Sequence, residues 1–174
     1  MEWPTLDWGQ LLEYLLKLAG AYALVLPVAW ERERATRIMG LRTFPLVAMA
    51  SCAYVLVSVA VVGTETDAHS RIIQGLMTGV GFIGGGAILK EGASVRGTAT
   101  AASVWSVGAL GAAVGYGRWE IAILLSLTTF LTLRLMTPVV ESHRSAQDES
   151  ADGSDRATQE DDDNCPRGSA RHAG

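Results

Sequence analysis

Cysteine is scarce in this chain. Of 174 residues only Cys52 and Cys165 carry a thiol, one in an apolar run and one in a polar segment, and there is no C-x-x-C. That excludes the usual thiolate zinc sites and leaves both cysteines as free thiols. Histidine is equally sparse: His69, His143 and His172 fall in loops or in the C-terminal segment, without matching partners. No nucleophile–base pair emerges, so no catalytic residue, enzymatic activity, cofactor or resident metal is expected. The N-terminal MEWPTLDWGQ has no basic n-region, so a cleavable signal peptide is not expected. Residues 1–140 carry few charges, ten Lys/Arg and nine Asp/Glu, whereas residues 141–174 carry four Arg and nine Asp/Glu. The acidity of the chain thus belongs to its last 34 residues and says nothing of what the body binds. No basic patch speaks for nucleic acid.

What fills residues 1–140 is apolar sequence. A bilayer core requires about 20 mostly apolar residues per helix. Five stretches meet this, at roughly residues 11–30, 44–62, 72–89, 99–116 and 119–139. Basic residues concentrate in the first loop (Arg32, Arg34, Arg37, Arg42), the third (Lys90, Arg96) and after the last span (Arg134, Arg144). By the positive-inside rule these face the cytoplasm, which puts the N-terminus outside and the C-terminus inside. The expected architecture is an all-α membrane protein of five transmembrane helices over residues 1–140. The segment 141–174 reads as a disordered acidic tail, because it holds too little apolar surface to offset its ordering entropy.

The stretch GVGFIGGGAILKEGASVRG, residues 79–97, contains G-x-G-x-x-G. A dinucleotide turn requires a preceding strand and an acidic residue about 20 positions on. RIIQGLMT is not bounded like a strand, and SVWSV holds no carboxylate. The glycines fit helix packing in lipid better, where small residues let backbones approach. Gly75 and Gly79, then Gly81 and Gly85, form two G-x-x-x-G pairs on different sides of the third span. In the fourth, Ala101, Val104, Gly108, Gly111 and Gly115 recur at spacings of three and four. Close packing is therefore expected in these two spans. The run Gly84–Gly86 exceeds what packing requires, and each glycine costs up to about 1 kcal/mol inside a helix, so a break is expected there.

With these motifs in view, the chain resembles the MgtC/SapB family of bacterial inner-membrane proteins over roughly residues 9–138. The matching stretches are ERER at 31–34, GLRT at 40–43, DAHSR at 67–71, and the block GVGFIGGGAIL with VRGTATAA and the following VW. The resemblance implies a five-helix bundle with its N-terminus outside. It also implies a link to low-Mg²⁺ adaptation and, in pathogens, to survival in macrophages. It points to a regulator that restrains the F-type ATP synthase rather than to a Mg²⁺ transporter. Longer members carry a cytoplasmic domain similar to ACT domains; here the 34-residue acidic segment stands in its place.

The candidate functional residues are polar groups at the ends of the spans. Glu31, Arg32, Glu33, Arg37 and Arg42 cluster at the end of the first span and in the loop after it. Anchoring explains the arginines but not the two acids, which do nothing for orientation. Asp67 and Arg71 stand four apart at the start of the third span, with Gln74 one turn further in. An acid there complements the helix dipole, and Gln74 can hydrogen-bond between helices. Glu13 and Lys17 are four apart in the first span and can neutralise one another. The expected partners are the lipid bilayer and either another membrane protein or a second copy. An ion transporter is the alternative. The third and fourth spans hold no carboxylate in their membrane portions, and the first loop is net positive, which argues against Mg²⁺ transport. For Mg²⁺ binding itself, only the EDDD run of the tail offers a conceivable weak contact.

Overall fold

The computed structural model describes residues 7–36, 39–63, 65–91 and 94–136. The chain divides into Met1–Arg134, which holds the bundle, and Leu135–Gly174, of which only the first two residues, the end of a helix, are described. The acidic segment 141–174 and the end of the fifth span, residues 137–139, lie outside the described residues.

Among the described residues the fold is five helices and one short hairpin: α1 (Trp8–Thr36), α2 (Thr43–Val62), α3 (Thr66–Gly85), β1 (Leu89–Glu91), β2 (Ser94–Arg96), α4 (Thr98–Gly115) and α5 (Trp119–Met136). Four of the helices, α1, α2, α4 and α5, are long and apolar enough to cross a membrane. The third is as long as α2, 20 residues each, or about 30 Å at 1.5 Å per residue, but it is less apolar. It also sits four to six residues earlier than the expected 72–89. The polar TDAHSR segment is its first turns, and the chain turns at Gly86 into an antiparallel hairpin in which Lys90 faces Val95.

The fourth helix packs on α1, α2 and α3 and forms the axis of the bundle. Thr100, Ser103, Val104, Val107, Leu110, Gly111 and Val114 are buried on it at helical spacing. Val25, Val28 and Ala29 of α1 and Phe44, Ala48 and Cys52 of α2 complete the core. The glycines of α4 set its distances. A Cβ on Gly111 would collide with the Ala48 carbonyl oxygen, and one on Gly108 would lie 2.8 Å from Val80 Cγ2. One on Gly115 would lie 2.7 Å from Val55 Cβ. Since 48 meets 111 and 55 meets 115, α2 and α4 run parallel.

The hairpin end is equally tight. Gly97 has φ +88°, and a Cβ there would overlap the Ala87 carbonyl oxygen. Only glycine satisfies both demands. Gly84 meets the Ala101 carbonyl, with 3.2 Å left for a Cβ. The glycine run thus stops α3 and seats the start of α4 beside it.

α1 contains Pro27, which offers no N–H to the Ala23 carbonyl one turn back. At this weakened turn Ser126 Oγ of α5 donates to the neighbouring Leu24 carbonyl at 2.6 Å. This bond fastens α5 to α1 beside the proline.

Candidate functional site

At the end of the bundle where α1 finishes, the two acids of ERER hold other segments in place. Glu31 lies 3.5 Å from Arg134 Nη1 and ties α1 to α5. Glu33 Oε2 accepts the Leu41 N–H at 3.2 Å and rests against Gly40, which fastens the loop back onto α1. Arg32 is 4% exposed, a cation drawn into the bundle. Arg34 stacks over Trp30 at 5.0 Å, a cation–π contact. Arg42 is exposed, and Arg37 lies outside the described residues. Nearby in sequence to the hairpin, Thr100 is fully buried and its hydroxyl has no hydrogen-bond partner among the described residues.

The second group of candidates converges on α3. Asp67, Arg71, Gln74, Gly75 and Gly79 follow one another at helical spacing, and all are exposed. They share one face of the helix, opposite the one that buries Val80 and Gly84 in the bundle. Thr78 and Phe82 lie on the same face, Phe82 at 85% exposure. Thr78 Oγ1 donates to the Gln74 carbonyl at 2.9 Å. A Cβ on Gly75, Gly79 or Gly85 would meet nothing within 4 Å, and one on Gly81 only Trp105 Nε1 at 3.4 Å. Within one chain, therefore, the glycines of α4 are tightly packed, whereas Gly75, Gly79 and Gly85 of α3 are open. Asp67, Arg71 and Gln74 make no side-chain hydrogen bond or ion pair with another described residue. Asp67 sits in the first turn, where its charge complements the helix dipole.

A third polar centre was invisible in the sequence. His69 of α3 places Nε2 2.8 Å from the Gly63 carbonyl, and Nδ1 3.0 Å from Ser58 Oγ and 3.1 Å from Tyr116 Oη. A carbonyl only accepts, so Nε2 carries a proton; in the neutral ring Nδ1 is then the acceptor, its one lone pair shared between the two hydroxyls. The imidazole joins the ends of α2, α3 and α4. Its side-chain partners stand 11 and 47 residues away, and no local signal connects them. Ser58 is 3% exposed, and the bond to it ties α3 to α2. Glu13 and Lys17 pair at 2.7 Å along α1.

The arrangement holds helices together at both ends and presents one polar, small-residue helix face outward. Among the described residues no three His, Cys, Asp or Glu side chains converge as a metal site would require.

The sequence model of the MgtC family matches residues 18–142. The chain is 37% identical to protein SrpB of Synechococcus elongatus over 142 residues, 75% of this chain and 76% of that one. It is 34% identical to protein MgtC of Brucella abortus over 134 residues, 77% of this chain and 56% of that one. Against protein MgtC of Salmonella typhimurium the identity is 36% over 110 residues, 63% and 46% of the two chains. The chain thus spans about half the length of these relatives named MgtC. No solved structure matches it.

Proposed function

The chain belongs to the MgtC family, and from that premise we propose that it is a non-enzymatic regulator that works by binding another protein within the bacterial inner membrane. The observation that carries this reading is the outward face of α3. A lipid-facing helix surface is ordinarily apolar, and polar side chains in a membrane turn toward protein or water. Asp67, Arg71 and Gln74 with Gly75 and Gly79 make a surface suited to close contact with another helix, through small residues and interhelical hydrogen bonds.

In this reading α3 is the fifth span. It crosses the membrane with its polar face against a partner, and its lower apolarity follows from that face. The arginines of the first loop put that end in the cytoplasm and the His69 end outside. The F-type ATP synthase is the complex proposed as target, in adaptation to low Mg²⁺ or stress.

The test is crosslinked purification from membranes of cells grown at low Mg²⁺. Near-stoichiometric recovery of ATP synthase subunits supports the regulator. Recovery without any other membrane complex, together with Mg²⁺ flux in liposomes containing the purified chain, refutes it in favour of an ion transporter.

A further inference from the structure

We propose that the outward face of α3 pairs with the same face of a second copy of this chain, and that the two Gln74 amides hydrogen-bond to each other across the two-fold axis. The inference rests on the reading of this face as a protein-binding surface and names its first occupant.

Two copies inserted the same way round are related by an axis along the membrane normal. Residues near that axis meet their own counterparts at equal depth, as in any isologous interface. A side chain on such an axis must be its own partner. A carboxylate or a guanidinium cannot be, but a side-chain amide has both donor and acceptor. Gln74 is the amide on this face, is exposed, and has no partner for it among the described residues.

The neighbouring groups obey the same symmetry. Asp67 and Arg71 are exposed, of opposite charge, and unpaired with any described residue, including each other. Across a two-fold axis each Asp67 lies one turn from the other copy's Arg71, so the face is neutral and self-complementary in charge. Gly75 and Gly79 leave room for a second backbone, since a Cβ at either position meets nothing within its own chain. This G-x-x-x-G spacing suits a close, right-handed crossing of two parallel helices.

The same glycines border a cavity of about 450 Å³ between α2 and α3. Its wall includes Ser51, 1% exposed, whose hydroxyl has no hydrogen-bond partner among the described residues. Phe82, one turn below Gly79 and 85% exposed, is the bulky apolar group at the right depth to fill this cavity in the other copy. An unrelated helix could bury against the glycines, but it would have to supply a matching amide and both charges at matching depths. A second copy supplies them by symmetry.

The test uses the full chain in its native membrane. With Cys52 and Cys165 changed to alanine, a single Thr78→Cys should form a disulfide-linked dimer on mild oxidation, far more readily than a single Leu127→Cys on α5. Adding Gly79→Leu should cut the linked fraction at least tenfold while leaving membrane yield unchanged. Adding Gln74→Leu should cut it about threefold, the size of one interhelical side-chain hydrogen bond in a membrane. Linking no better than at position 127, or linking insensitive to both added changes, overturns the pairing. A photo-crosslinker at position 78 separates the two readings. Capture of a different membrane protein in place of a second copy overturns the pair but leaves the protein-binding reading standing. Capture of lipid alone overturns both.

Discussion

Among the glycines inside helices, Gly111 has the least room for a side chain, and Gly111→Ala makes that quantitative. The added methyl points at the backbone of α2, with the Ala48 carbonyl carbon 2.9 Å and its Cα 3.0 Å from the new carbon. Carbon atoms rest about 3.5–4.0 Å apart, and the carbonyl oxygen is closer still, so α2 and α4 must separate by roughly 1 Å. No rotamer change relieves a clash with main chain. Overpacking of this kind costs about 1–3 kcal/mol, and replacing glycine by alanine in a helix returns up to about 1 kcal/mol. The net expectation is a loss of about 1–2 kcal/mol. Gly81→Ala is the control on α3. Its methyl meets only Trp105 Nε1 at 3.4 Å, an ordinary contact, so the propensity gain stands alone and stability should be unchanged or rise by up to about 1 kcal/mol. Reversible unfolding in mixed micelles, followed by circular dichroism, measures both. If Gly111→Ala is as stable as the parent, or if both variants fall equally, the α2–α4 approach is not what glycine serves here.

Three further outcomes are expected. Thr100→Val replaces a buried hydroxyl without a partner by an apolar group of the same shape; stability in the same assay should hold or rise by up to about 1 kcal/mol, and a marked loss would mean that the hydroxyl is bonded. His69→Ala removes the tie among α2, α3 and α4 and should lower stability by about 2 kcal/mol; a double-mutant cycle with Tyr116→Phe should show coupling, whereas strict additivity would dissolve the tie. Membrane-impermeant thiol labelling of single cysteines in intact cells should reach position 66 and not position 37, and the opposite pattern reverses the proposed orientation.

Much of the helix plan is present in hydropathy alone. The second, fourth and fifth spans begin within a residue of the observed helices, because apolar runs bounded by Arg, Gly and Tyr-Gly leave little latitude. The first helix runs past its apolar stretch because ERERAT continues the helix into polar surroundings. The third was misplaced for an instructive reason. Its first turns, TDAHSR, are polar, so a search for apolar length starts too late, and it then carries on into AIL, which the structure uses for the turn and hairpin. The site was legible as a set of residues but not as a surface. Helical spacing puts Asp67, Arg71, Gln74, Gly75 and Gly79 on one side, yet only packing decides which side faces outward. Which glycines touch a neighbouring helix within the chain was hidden for the same reason: Gly75 and Gly111 each open a G-x-x-x-G, and the difference lies in what stands opposite. The uses of Glu31 and Glu33 depend on Arg134 and Leu41, contacts that spacing does not announce.

The glycine contacts of α4 also bear on how such a chain can diverge. Any missense change at a glycine adds volume, so each of these positions can drift only if something opposite retreats. The atoms nearest to a Cβ at Gly108 all belong to the Val80 side chain, and volume can be traded between the two: a larger residue at 108 becomes admissible once 80 has shrunk. Gly111 faces main chain of Ala48, and a carbonyl cannot mutate to something smaller. The first pair can wander together through sequence space as a correlated couple. The second is a fixed point, around which the rest of the bundle must vary.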